Sequence, residues 1–476
     1  MCAKRYECLA YDSPDDFIFG ISKKPVVCKN GMVIGGGTVY PEINFTLPPM
    51  PITGETMPEV IGQYKQIIED VCKRAIELHV PGFVAEIELL PPATYNPGWG
   101  AEITKAVRDV MHEYEAKHGL KSALRITPVD IREDSRSPHM WKGSHWEAVM
   151  KTFADCAKAG ADMLAIESIG GKDVHDEANI YCEIDKSLFA LGILGARDMS
   201  KLWSGICRIA ADTDTIAAGD TACGFANTAM VLADRGMIPK VFSAVVRVIS
   251  AVRSLVAVEE GAVGPHKDCG YEGVYVKAIT GIPVSLEGKS SACAHLSPVG
   301  NIAACAADLW SNESVQNIKL LAGMAPTVSM EQLAYDCRLM NTASQSGRQN
   351  ALLLRDWLCE SDSRYDPQAY VLRPDVVFAV SKEIIKEDTP FRRSKAAALA
   401  AVSELRRAVG AGRVYIDSRE STWLDTMEAQ LDSVPDDEEQ FIYEMLGRCE
   451  SDKFDPKNTI YKKAIYTGLL KVQRIT

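Results

Sequence analysis

Glu167, Cys223 and Cys269 each follow a short apolar run, in the segments MLAIESIGGKD, TIAAGDTACGFANTAM and GAVGPHKDCGYEG. Two thiolates and a carboxylate are ligands that zinc accepts in tetrahedral geometry, and three protein ligands with one open position make the pattern of a catalytic centre. Residues so far apart in order can share an ion only where the fold brings strand ends to one rim. Taken singly, each has a plainer reading, since a lone cysteine is often just a small buried hydrophobe and a lone glutamate a salt-bridged surface group. Other polar groups compete for the same rim. Cys293 and His295 form a C-x-H pair in SSACAHLSP, and Glu86, Glu88 and Asp130 lie on strand-like runs where they would serve as general acids or as core ion pairs. His266, beside Lys267 and Asp268, reads as a solvated loop residue. Gly170 and Gly171 offer a stretch of bare backbone that a bulky ligand could approach closely.

The elements that would position these residues alternate in type. From Thr56 the apolar residues Val60, Tyr64, Ile67, Ile68 and Val71 recur at helical intervals, with Thr56 and Glu59 at capping-box spacing, which predicts a helix to about residue 79. Strand-like runs follow at 82–90, 122–131, 163–169, 215–222, 254–260, 283–289 and 319–328, divided by helix-like spans, and TVYPEINF supplies an N-terminal one. Short apolar strands separated by helices need parallel crossovers, and eight of them predict a (β/α)8 TIM barrel over residues 1–346 with an N-terminal extension. In such a barrel the loops after the strands form the active face. Glu167, Cys223 and Cys269 then follow strands four, five and six, so adjacent strands give adjacent ligands. Beyond about residue 347 the Ala-, Glu-, Arg- and Leu-rich texture predicts a C-terminal helical region through residue 476.

Composition removes several classes of function. A net charge of −12 leaves no basic surface for tracking phosphates, so nucleic acid is not an expected partner. The N-terminus lacks an apolar signal core, and the most apolar stretch, from Val241 to Val258, is interrupted by Arg247 and Arg253. The expectation is a cytoplasmic protein with no membrane span. The 14 cysteines show neither C-x-x-C pairs nor regular spacing, which suits reduced thiols. No G-x-G-x-x-G or P-loop pattern supports a nucleotide.

At the same segments the sequence resembles the methanol:corrinoid methyltransferase family. The shared stretches run in order along residues 1–450: NPGWGAE at 96–102, ESIGGK at 167–172, AGDTACGFANTAM at 218–230, SLVAVEEGAVGPHKDCGYE at 254–272, LEGKSSACAH at 286–295 and LAYDCRLMNTA at 333–343. The resemblance implies that Glu167, Cys223 and Cys269 are zinc ligands, with a local departure at His266, where the family motif carries glycine. It also implies a zinc-containing barrel, assembled as a homodimer or as a heterotetramer with a corrinoid-binding protein, that moves the methyl group of methanol to Co(I). The chain has no D-x-H-x-x-G segment for cobalamin, consistent with a corrinoid that arrives on the partner.

That reaction makes a further demand. Hydroxide leaves carbon poorly, so zinc must act as a Lewis acid on the alcohol oxygen. A dication with two thiolates and a carboxylate leaves the site near −1, which weakens that effect and calls for a proton donor. Asp220 and Asp268, close in sequence to Cys223 and Cys269, are the expected donors, with the orienting of a ligand as their alternative role.

Overall fold

The computed structural model describes residues 6–47, 50–132, 140–267, 269–313 and 319–450. Nine strands are present among them: β1 (Ile21–Val27), β2 (Val33–Gly36), β3 (Tyr40–Phe45), β4 (Phe83–Leu89), β5 (Ser122–Pro128), β6 (Met163–Ile166), β7 (Ile216–Asp220), β8 (Ser285–Glu287) and β9 (Leu309–Asn312). β1 and β2 pair as an antiparallel ribbon, and the other seven form one parallel sheet in the order β7-β6-β5-β4-β3-β9-β8. Helices join these strands, as parallel pairing requires. The sheet curls strongly. Its two outer strands flank the same short segment: Val263 and Gly264 donate backbone hydrogen bonds to Ala217 and Ala218 of β7, while His266 donates to Pro283 just before β8 and accepts from Ser285 at its start. The result is a barrel-like α/β fold.

Two predicted strands are corrected. Residues 254–260 belong to the helix Lys240–Glu260, and 319–328 lead into the helix Ala325–Gln345, which carries a proline in its first turn. The strand that closes toward β3 is instead the four-residue β9. The predicted helix from Thr56 is present as Met57–Glu77, but Thr56 does not cap it through its side chain, which bonds to Pro51 and Thr53.

Alternation along the strands sorts the interior into layers. At the lower end Val84, Ala123, Met163, Ala165, Ala218 and Leu309 form a small apolar cluster, sealed by Cys28, Met32 and Ile34 from the ribbon. Above it Glu42 and Arg125 pair at 2.7 Å, both fully buried. The upper layer holds Asn44, Glu86, Glu88, Lys267 and Glu287, linked by hydrogen bonds and ion pairs. The larger apolar core lies outside the sheet, between it and the helices. The Lys240–Glu260 helix is long and apolar enough to cross a bilayer, yet nearly all of it is buried in this core. Its two arginines are used inside the protein, Arg247 on the Gly270 carbonyl and Arg253 on Asp220 and Ser168. The C-terminal helix Pro390–Gly410 packs along it, so the helical region rests directly on the barrel-like body.

Candidate metal centre

Glu167 stands immediately after β6, Cys223 opens a π-helical turn (Cys223–Asn227) three residues beyond β7, and Cys269 follows the segment between the outer strands. A π-turn widens the helix and redirects a side chain, a device that recurs at functional sites. The ligand atoms of Glu167, Cys223 and Cys269 lie within 4.8 Å of one another, and the Cys269 sulfur is 3.6 Å from Glu167 Oε1. Glu167 is about one-third exposed whereas Cys269 is buried, so the carboxylate marks the open side of the cluster.

Neighbours fix the two cysteines. Asn227 Nδ2 donates to Cys223 Sγ at 3.4 Å. The backbone N–H groups of Cys269 and Gly270 both donate to Thr221 Oγ1, and Glu272 accepts from the N–H of Ala222. Such support orients a ligand before an ion arrives.

The electrostatics describe a site built for a cation. A hydrogen bond with Cys269 favours the Cys223 thiolate, but burial and the Glu167 charge outweigh it and push this thiol up to about 11. Burial, together with its neighbours Cys223 and Glu167, holds the Cys269 thiol well above its usual range. Three potential anions converge, and a dication would relieve their repulsion while favouring the thiolate forms. The donor set therefore fits zinc.

Lys267 balances the charge. Its buried ammonium lies 2.8 Å from Glu86, 2.9 Å from Glu88 and 3.2 Å from Glu167. Glu86 and Glu88 are thus ion-paired side chains of the mouth, as the core-pair reading expected. Asp130 is also paired, with Arg132, and one of its oxygens accepts from the Ile169 N–H beside Glu167.

Asp220 faces away from the mouth. β7 pairs with β6 through a bulge at Ala218, an inward residue, so that Asp220 pairs with outward-facing Ile166. Its carboxylate accepts from Trp203 Nε1 at 2.9 Å, Arg253 Nη1 at 3.2 Å and Ser168 N at 3.3 Å. Burial raises its pKa and the Arg253 guanidinium pulls it back. With those donors already on it, Asp220 anchors the strand end that carries Glu167, and the expectation of a proton donor there is corrected to the orienting role. Asp268 lies outside the described residues.

Gly170 and Gly171 are corrected as well. A Cβ on Gly170 would sit 2.3 Å from Asp198 Cβ, and one on Gly171, whose φ is +86°, would sit 2.5 Å from the Ala190 carbonyl. The protein itself fills the space in front of both, so their bareness serves internal packing and not the approach of a corrinoid. Gly170→Ala is accordingly expected to lose about 1–3 kcal/mol of stability by overpacking, read as a lower denaturation midpoint.

His266, expected in solvent, is fully buried against Gly219, its Nε2 3.8 Å from Glu272. Of the C-x-H pair, Cys293 is exposed, while His295 joins Glu287 and Glu313 in a second group whose ligand atoms lie within 4.8 Å of one another. Sequence reasoning passed over Lys267 and Glu287. The signal for Glu287 was present: like Glu167, it is a carboxylate closing an apolar run.

A model of the methanol-cobalamin methyltransferase B subunit family matches residues 3–460. The chain is 40% identical over 465 residues to the methanol–corrinoid protein co-methyltransferase of Methanosarcina barkeri, a match covering 96% of this chain and 99% of that protein. The fold is similar to the crystal structure of the methanol:cobalamin methyltransferase complex MtaBC from Methanosarcina barkeri, with a TM-score of 0.90, 39% identity, and coverage of 96% of this chain and 100% of that one.

Proposed function

Since this chain belongs to the methanol-cobalamin methyltransferase B subunit family, we propose that it transfers the methyl group of methanol to Co(I) of a corrinoid carried by a partner protein, with zinc held by Glu167, Cys223 and Cys269. The observation that carries this reading is the convergence of those three ligand atoms, from three separate parts of the chain, at the mouth of a barrel-like fold. When bound, zinc supplies Lewis-acid polarisation of the alcohol C–O bond.

The chain's own residues do the rest. Asn227 and Thr221 orient the two sulfurs, and Lys267 offsets the negative charge that Glu86, Glu88 and Glu167 bring to the mouth. The Arg253–Asp220 pair fixes the backbone on which Glu167 stands. An open mouth is what a corrinoid on a separate protein requires, because the acceptor must reach the methyl carbon from the side opposite oxygen.

We read the scaffold as a closed (β/α)8 barrel over residues 1–346, with 263–266 in the place of the sixth strand, and 347–450 as a helical region packed on it; residues 451–476 of the expected helical region lie outside the described residues. A heterotetramer of two such chains with two corrinoid proteins, in the cytoplasm, completes the reading. Methanol-dependent loss of the cob(I)alamin absorbance, with one zinc per chain, is the expected outcome for the purified protein. Full activity without metal, or faster transfer from a methylamine or an aryl methyl ether than from methanol, would sink it.

A further inference from the structure

Conversion of methanol to water during methyl transfer consumes one proton, and neither Asp220, already held by Arg253, Trp203 and Ser168, nor any of the three metal ligands is suited to give it. A buried carboxyl stands elsewhere in the mouth. Glu287 ends β8 on the inward face and is 5% exposed. Asn44 ties it to Glu88, and through Lys267 that network continues to Glu167. The charges of Glu287 and of the metal-site residues Glu167, Cys223 and Cys269 act on one another.

Behind Glu287 a chain of exchangeable protons leads outward. Ser291 Oγ donates to Glu287 Oε2, His295 Nδ1 is 3.3 Å from Ser291 Oγ, and Glu313 lies 3.4 Å from the same nitrogen. Exposure rises along the way, to 22% for the His295 side chain and 48% for Glu313. A buried acid joined to solvent by a hydroxyl and an imidazole is an arrangement for delivering protons and replacing them.

We propose that Glu287 gives its proton to the departing methanol oxygen and is refilled through Ser291, His295 and Glu313. The electron pair of the corrinoid Co(I) takes the methyl carbon, the C–O pair stays with oxygen, and the Glu287 proton completes water. The carboxylate then recovers a proton from the Ser291 hydroxyl, which takes one from His295, which takes one from Glu313 and bulk water. Burial holds the Glu287 carboxyl well above the ordinary range, with Glu313, Glu167 and Glu88 acting in the same direction and Lys267 against them.

This inference rests on the methanol reading above. The test uses the zinc-loaded full chain with methanol and free cob(I)alamin. Glu287→Gln is expected to lower kcat about 10²-fold or more, with zinc content and the KM for methanol unchanged, and to remove the decline in activity that the wild type shows as rising pH ionises the carboxyl. His295→Gln, near the surface, is expected to slow turnover less and to regain it with added imidazole. Wild-type kcat in Glu287→Gln, loss of zinc in that variant, absence of imidazole rescue, or a second metal ion bound at Glu287, His295 and Glu313 would each overturn the relay. A wild type inactive with methanol would instead remove the reading beneath it.

Discussion

Cys223→Ala and Cys269→Ala are each expected to abolish zinc binding and to lower methanol-dependent methylation of cob(I)alamin about 10³-fold or more, while the circular-dichroism spectrum stays that of the wild type. The magnitude follows from the role of the ion: Lewis-acid stabilisation supplies several kcal/mol, and each 1.4 kcal/mol is about tenfold in rate. The preserved fold follows from position. Both sulfurs lie at the mouth, apart from the apolar cluster that fills the lower end of the sheet and from the main core between sheet and helices. Metal analysis, spectroscopy and a rate assay on one preparation test all three parts. A variant that unfolds on losing zinc would assign the ion a structural role, and one that stays active would remove the ion from the reaction.

Lys267→Met is expected to destabilise the protein by about 3–5 kcal/mol, because it leaves the carboxylates of Glu86 and Glu88 in the mouth without their cation. It should also weaken the hold on zinc, since Glu167 loses the ammonium 3.2 Å away that fixes its carboxylate. The pH dependence has a definite sign. Burial opposes the charge on Lys267, but Glu86, Glu88 and Glu167 outweigh it and raise its pKa well above 10.5. A group whose folded-state pKa is raised contributes fully below its unfolded value and loses that contribution only as pH climbs through the folded one. The difference between wild type and Lys267→Met should therefore hold constant around neutrality and shrink only in strong alkali. Urea denaturation at pH 7 and at pH 11 measures it, and a difference that grew with pH would contradict the assignment.

The sequence made the metal site more legible than the path of the chain around it. Met163–Ile166 and Ile216–Asp220 are apolar runs that stop where chemistry begins, so Glu167 and Cys223 stood out against their surroundings. The span SLVAVEE did not declare its type, because a short apolar run suits a buried strand and a buried helix equally and only the length of the element decides. There the helix continues from Lys240 without a break. The segment that takes the strand's place contains Gly264 and Pro265, residues that weaken a strand assignment. β9 is four residues long, with Ser and Asn in it, and stayed hidden for a similar reason. The side on which Asp220 emerges could not be read from alternation at all, because a single bulged residue in β7 inverts it. Lys267 and Glu287 owe their importance to partners more than a hundred residues away, Glu86 for the one and Asn44 for the other.

The ribbon that stoppers the foot of the sheet with Cys28, Met32 and Ile34 imposes a timetable on turnover. Stoppered at the foot among its described residues, such a vessel is filled before it is lidded: the alcohol is expected to enter ahead of the bulky acceptor, and the water formed to leave once that acceptor has lifted away. Initial-rate kinetics with the corrinoid protein should thus obey a compulsory order, with excess acceptor inhibiting competitively against methanol.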